Sequence, residues 1–149
     1  MQITRATDYA VRVMVHLATL PEGTRVPAPE LARAGDAPES FMSKVLPQLV
    51  RCGLVTSHRG KGGGFELAVD PGSVTLLQVI ESMEGPLQLN LCLPGEKTCD
   101  RKSWCGVHPI WSEAQAALKK VLAGATIGRL ARDTQSLVHA QESATTVVL

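Results

Sequence analysis

Residues 38–68 read Pro38-ESFMSKVLPQLVRCGLVTSHRGKGGGFEL-Ala68, and the reading of this stretch decides the fold. Phe41, Val45, Leu46, Leu49 and Val50 recur at helical spacing, which predicts a helix from Pro38 to about Cys52 with one buried stripe. Proline suits its first position and Gly53 the left-handed residue that closes it. Glu39, Ser40, Ser43, Lys44 and Arg51 are left for the outer face. An interior proline removes a backbone hydrogen bond and crowds the preceding turn, so a kink is expected at Pro47. Leu54 to His58 then alternates as a strand, Arg59-GKGGG-Phe65 makes a flexible turn, and Phe65 to Ala68 returns as a second strand. Just upstream, a short helix from Pro29 to Ala34 is closed by Gly35. Two helices about a tight turn, the second cationic on its outer face and followed by a hairpin, predict a winged helix-turn-helix.

The glycine run lacks the Lys-Ser/Thr ending of a phosphate loop, and Phe65 stands where Gly-x-Gly-x-x-Gly needs its last glycine. A strand-turn-strand setting also lacks the helix amino terminus that such motifs use, which argues against nucleotide binding. A different polyanion fits better. The 149 residues carry a net charge of only +1, so any basic surface is local. Between Ser40 and Phe65 stand Lys44, Arg51, Arg59 and Lys61 with no Asp or Glu, a strip suited to a phosphate backbone. Double-stranded DNA is the expected partner, with Ser40, Ser43 and Lys44 nearest the base edges or phosphates of the major groove. Arg51, His58 and Lys61 are further contacts, and Arg59 at the wing tip is placed in the minor groove.

Before this unit, Thr4 reads as the N-cap of a helix to Leu20, with Ala6, Tyr9, Ala10, Val13, Met14, Leu17 and Ala18 on one broad apolar face. Asp8 reads there as a surface carboxylate near the positive end of the helix dipole. After the wing, Thr75 and Gln78 form a capping box opening a helix to about Met83, which Gly85 and Pro86 end.

Then comes Cys92-LPGEKT-Cys99-DRKSW-Cys105-GV-His108, three cysteines and a histidine in seventeen residues with no helical or alternating period. So long a loop in a compact domain signals function or disorder, and four soft ligands at short spacing point to a bound metal or cluster. An iron-sulfur cluster is the expected occupant. Zinc stays open, because Cys3His is also a structural zinc set, although only Cys105 to His108 shows the short spacing usual for zinc. A thiol/disulfide switch without metal is a further alternative. Lys97, Arg101 and Lys102 either balance an anionic cluster or form a solvated face, and Trp104 either shields the site or packs. A Cys-His dyad can serve as nucleophile and base, but no oxyanion motif accompanies it, so no enzyme activity is expected. Cys52 is expected to pack in the core.

No run of eighteen apolar residues occurs, and the amino terminus is polar where a signal peptide has its apolar core, so a cytoplasmic protein with no membrane partner is expected. Cysteines in that reducing compartment are more often ligands than disulfides. His108-Pro109 precedes a longer helix to about Ala123 whose stripe, Ile110, Ala114, Ala117, Leu118, Val121 and Leu122, needs a partner. A second copy of the same helix supplies one and makes a homodimer reading a roughly palindromic operator; packing back on its own domain is the alternative. Thr126 is expected to cap a short helix through Arg132. The chain thus divides into a DNA-binding domain at 1–84, a cluster loop at 85–108, a dimerisation region at 109–132 and a low-signal, frayed tail at 133–149.

Taken together, Thr4-RATDYAVRVMVHLA, Ser40-FMSKVLPQLVRCGLV, Arg59-GKGGGFELA and the three cysteines ahead of a long helix resemble the IscR, NsrR and RirA transcription regulators. The resemblance covers roughly residues 1 to 132 and implies a homodimeric winged-helix DNA binder. It also implies a 2Fe-2S or 4Fe-4S cluster reporting nitric oxide, iron supply, redox state or cluster demand. Carried across, Cys92, Cys99 and Cys105 match the thiolate ligands and His108 the histidine ligand of the IscR branch. Asp8 matches the aspartate that reaches the cluster from the partner subunit in the NsrR branch. With both candidates present, the resemblance leaves the fourth ligand and the cluster type open, as does the six-residue interval between Cys92 and Cys99.

Overall fold

The computed structural model describes residues 3–93 and 99–146. Its organising element is α1 (Arg5–Thr19), capped by Thr4, whose hydroxyl accepts from the Thr7 backbone N–H at 3.3 Å. The apolar face of α1 buries Tyr9, Ala10, Val13, Met14 and Leu17, and the rest of the core closes around it. Leu31 comes from α2 (Ala28–Ala34), while Met42, Val45, Leu46 and Leu49 come from α3 (Glu39–Arg51). Val79 comes from α4 (Leu76–Glu84) and Ile127 from α6 (Ile127–Thr146). Burial of such side chains contributes about 1.5–3 kcal/mol each and is the main force holding these helices on α1.

The turn between α2 and α3 is tight because Asp36 takes the left-handed conformation at φ 48°, a conformation aspartate tolerates better than most residues. The Ala37 N–H then closes back on the Ala32 carbonyl at 2.9 Å. Gly35 closes α2 as expected, at an ordinary φ of −85°, and the left-handed residue of the turn is its neighbour Asp36. Within α3, Met42 takes the buried place expected for Phe41. Phe41 sits beside it, half-buried, with its ring edge-on to Tyr9 at 5.1 Å between centroids. The helix runs unbroken through Pro47, which is exposed.

The wing is β1 (Val55–His58) paired antiparallel with β2 (Gly64–Leu67), in the register Val55 opposite Leu67 and His58 opposite Gly64. Val26 extends this ribbon, exchanging both backbone hydrogen bonds with Phe65 at 2.9 Å. The glycine at 64 is required by that approach: a Cβ there would lie 2.8 Å from the Val26 carbonyl oxygen, and its φ is +145°.

The capping box at Thr75 and Gln78 opens α4 as the sequence predicts. A 3-10 turn at Lys102–Trp104 then leads into α5 (His108–Ala123). Two expectations are corrected here. The short helix assigned through Arg132, with a frayed tail beyond, is one helix of 20 residues reaching Thr146. No glycine or proline follows Gly128, so nothing stops the helix, and the Gln135 side chain ties it back to the Thr19 carbonyl at 3.2 Å. Cys52, expected in the core, is exposed. It stands one residue past the end of α3, outside the buried stripe, with Sγ 3.7 Å from the Ser82 carbonyl. The long α5 both packs on its own domain and leaves a face open. Leu118 and Leu122 are half-buried, Lys119 pairs with Glu81 at 3.3 Å, and Ile110 and Val121 remain 62% and 71% exposed.

Candidate metal centre and nucleic-acid interface

The cysteine segment leaves α4 at Gly85, whose φ of +82° turns the chain sharply, and is fastened at several points. The Leu87 N–H donates to the Glu81 carboxylate at 3.0 Å, the Leu89 N–H to the Gln115 side-chain carbonyl at 3.0 Å, and Leu87 is buried. At its far end the His108 N–H reaches the Cys105 carbonyl at 3.2 Å. Lys97 lies outside the described residues. Arg101 stacks its guanidinium over the Trp104 ring at 5.3 Å, so Trp104, 69% exposed, packs on a side chain of its own segment.

Cys92, Cys99 and Cys105 are all free thiols and all half-buried. His108 is half-buried at the first position of α5, and its Nδ1 is buried with no hydrogen-bond partner. An orphaned buried ring nitrogen is rare and wants an explanation, and a metal ion is one. By donor chemistry, three thiolates and an imidazole suit iron-sulfur ligation. Yet among the described residues no three His, Cys, Asp or Glu side chains are grouped so as to hold a metal ion. Asp8 stands apart from the cysteines' chemistry: it is exposed on α1 and paired with Arg12 at 2.8 Å. The donors are right in kind, and among the described residues they are not drawn together.

The cations of the basic strip are exposed on α3 and at the wing tip. Ser40, Ser43, Lys44 and Arg51 are exposed along α3, with the Ser43 hydroxyl donating to the Ser40 carbonyl at 2.8 Å. Arg59 and Lys61 are exposed at the wing tip, and among the described residues no ion pair engages Lys44, Arg51, Arg59 or Lys61. His58 differs from the others. Its Nε2 lies 2.7 Å from the Glu66 carboxylate, which also pairs with Arg25 at 3.7 Å, so His58 is held within the wing. Glu66 follows immediately after the acid-free strip and places a carboxylate beside it.

Residues 3–133 match the family described as Rrf2, iron-dependent transcriptional regulator. The chain belongs to the Rrf2 family. Protein aau3 of Rhizobium meliloti (strain 1021) is 35% identical over 134 residues, which cover 89% of this chain and 86% of that one. Among solved structures, CymR, the global cysteine regulator of B. subtilis, is 26% identical with a TM-score of 0.71, covering 89% of this chain and 97% of that one. T. potens IscR is 22% identical with a TM-score of 0.72, over 90% and 88% of the two chains, and shows the shared fold. The Rrf2 assignment and these neighbours agree with the winged helix described above and make this chain a transcriptional regulator by family. No helix among the described residues is long and apolar enough to cross a membrane.

Sequence reasoning missed two groups at the end of α4, next to the cysteine segment. Glu84 accepts hydrogen bonds from the Thr4 N–H at 3.0 Å, the Thr4 hydroxyl at 2.6 Å and the Thr7 hydroxyl. Those donors, led by the Thr4 hydroxyl, hold its carboxyl below the usual glutamate value, against a smaller opposing effect of burial. Gln48, on the inner side of α3, donates to the Ser82 and Met83 carbonyls at 2.9 and 3.1 Å. Their partners lie 80 and 34 residues away in sequence, beyond the reach of periodicity or capping rules.

Proposed function

We propose that this Rrf2 protein is a homodimeric DNA-binding regulator in which Cys92, Cys99, Cys105 and His108 hold an iron-sulfur cluster. The observation that carries the reading is the buried, unpartnered Nδ1 of His108 in the same segment as three half-buried free thiols. It also favours His108 over Asp8 as the fourth ligand, because Asp8 is already neutralised by Arg12. When bound, the cluster supplies iron that nitric oxide, oxidants or iron shortage can alter. The chain's own residues do the rest. α3 offers Ser40, Ser43 and Lys44 to a major groove, Arg51 and Lys61 meet phosphates, and Arg59 reaches the minor groove.

The dimer is argued from α5. Ile110, Ala114, Ala117 and Val121 follow one another at steps of four, three and four and are all exposed, the pattern of a coiled-coil seam left uncovered by the described residues of its own protomer. Pairing two copies there gives a two-fold axis, and with it a roughly palindromic operator.

A second reading, a thiol/disulfide switch or structural zinc in place of the cluster, is favoured by one observation: no three candidate ligands are grouped among the described residues. An absorption spectrum with iron, sulfide and zinc counts on protein purified without oxygen separates the readings. Equal iron and sulfide with a visible band supports the cluster and gives its nuclearity; a colourless protein after attempted reconstitution leaves the switch or zinc. DNA binding is tested separately with a duplex selected by the protein from a random pool. Arg59→Ala should weaken that complex and lower its salt slope by about one, and unchanged affinity and slope would remove the wing from the interface.

A further inference from the structure

The last turn of α4 is where the cysteine segment, α1 and α3 meet. A helix leaves its final carbonyls without intrahelical partners, and at Ser82 and Met83 these are taken by the Gln48 side-chain amide of α3, at 2.9 and 3.1 Å. The next residue, Glu84, takes both the backbone and the hydroxyl of the α1 N-cap, Thr4, and the hydroxyl of buried Thr7. The residue after that is Gly85, where the cysteine segment departs. The segment is tied back to the same helix through Leu87 and Glu81, and to α5 through Leu89 and Gln115. Four consecutive residues, Ser82 to Gly85, therefore carry the attachments of the outward-facing helix and of the central helix and the departure of the cysteine segment.

We propose that Ser82–Glu84 is the joint through which the state of the cysteine segment sets the position of α3, with Gln48 the positioning residue on the α3 side. This deepens the function proposed above, since it matters for regulation only if α3 faces DNA. Gln48 touches neither DNA nor metal; it acts through the helix that carries Lys44. Its two hydrogen bonds are directional and join two helix ends, so a shift of the α4 terminus by an ångström either drags α3 or breaks them. The apolar contacts of Leu46 and Leu49 with the core are non-directional and tolerate such a shift. Glu84 fixes the other side of the joint to α1, so that displacement is passed to α3 rather than absorbed by the whole domain.

The test is hydrogen exchange on the full chain, and it needs neither DNA nor metal. In a Cys52→Ala background, which leaves Gln48 without a competing donor at the Ser82 carbonyl, N-ethylmaleimide alkylates only Cys92, Cys99 and Cys105, a defined change confined to the segment and checked by mass. Alkylation should speed exchange of the backbone amides at 46–51 about fivefold, the factor expected when a hydrogen-bonded tie is lost. In Gln48→Met and in Gln48→Glu, which remove the donor while keeping the length, those amides should exchange faster from the start and change less than about twofold on alkylation. Gln48→Lys, which again presents a donor to α4's terminal carbonyls, should restore the response. A merely structural role would make the two variants faster yet still responsive. No response of α3 in the parent, or an equal response in Gln48→Met and Gln48→Glu, overturns the joint while leaving DNA binding untouched. Loss of the Arg59→Ala effect on the selected duplex would instead overturn the DNA reading alone.

Discussion

Replacing Glu84 by alanine should destabilise the fold at neutral pH and progressively less in acid. The carboxylate accepts three hydrogen bonds, from the Thr4 N–H, the Thr4 hydroxyl and the Thr7 hydroxyl. Net contributions of about 0.5–1.5 kcal/mol each would give a wide range, but Glu84 is exposed, and water competes for every one of these donors. The lower end applies, about 1.5 kcal/mol in all, which for a chain of this size is roughly 3–6 °C in melting temperature. Thr7 retains the Thr4 hydroxyl at 3.1 Å in the variant, so its buried oxygen is not orphaned and no larger penalty is due. The pH dependence follows from the lowered carboxyl value. The unfolded chain binds the proton more readily than the folded one, so the contribution is complete above the ordinary glutamate value and is lost as pH falls through the folded-state value. Urea unfolding of parent and Glu84→Ala, at one protein concentration so that association does not interfere, should differ by about 1.5 kcal/mol at pH 7 and by progressively less as the pH falls below the ordinary glutamate range. A difference of the same size throughout would show that Glu84 acts by packing, and none at pH 7 would show that water replaces it without loss.

Gly64→Ala should cost about 2 kcal/mol or more in urea unfolding, because its Cβ meets the Val26 backbone at 2.8 Å in a conformation that only glycine adopts freely. Ile110→Asp with Val121→Asp should yield monomers by sedimentation at concentrations where the parent is dimeric, with circular dichroism unchanged, since both side chains are exposed in the single chain. After reconstitution, His108→Ala should lower iron retained per chain whereas Asp8→Ala should not, because only His108 carries a buried nitrogen without a partner; the reverse order, read by iron analysis, would return the fourth ligand to Asp8.

Where physical cause is local, the sequence was legible. The caps at Thr4 and Thr75, the left-handed Gly53 and the paired strands of the wing each depend on residues within a few positions of one another, and each is found where those residues put it. Met42 is buried where Phe41 was expected because a helical stripe has finite width: Phe41 packs at the edge of the core, its ring edge-on to Tyr9, and its neighbour Met42 fills the centre. The extension of α6 to Thr146 was obscured by its composition. Ile127, Leu130, Ala131, Leu137 and Val138 recur at helical spacing and no breaker follows Gly128, so the signal was present; the polar residues between them, and the exposure of Leu137 and Val138 in the single chain, weakened it.

The site divides along the same line, and the division bears on how regulation is wired. Ligand identity is a property of residue type and spacing, so Cys92, Cys99, Cys105 and His108 stand out in the chain itself. What such a segment moves is a property of its attachments, and those are made by an amide and a carboxylate that look like ordinary surface residues of α3 and α4. Gln48 lies one position after a helix proline and Glu84 one position before a helix-ending glycine; neither pattern announces a partner. Yet a coupling between sites must pass through groups that change partners when the structure shifts, and directional hydrogen bonds between helix ends do this where an apolar core does not. The turn Ser82–Glu84 offers the segment a physical link to α3, because α3 is hydrogen-bonded to the Ser82 and Met83 carbonyls and α1 to the Glu84 carboxylate, next to the point from which the cysteines depart.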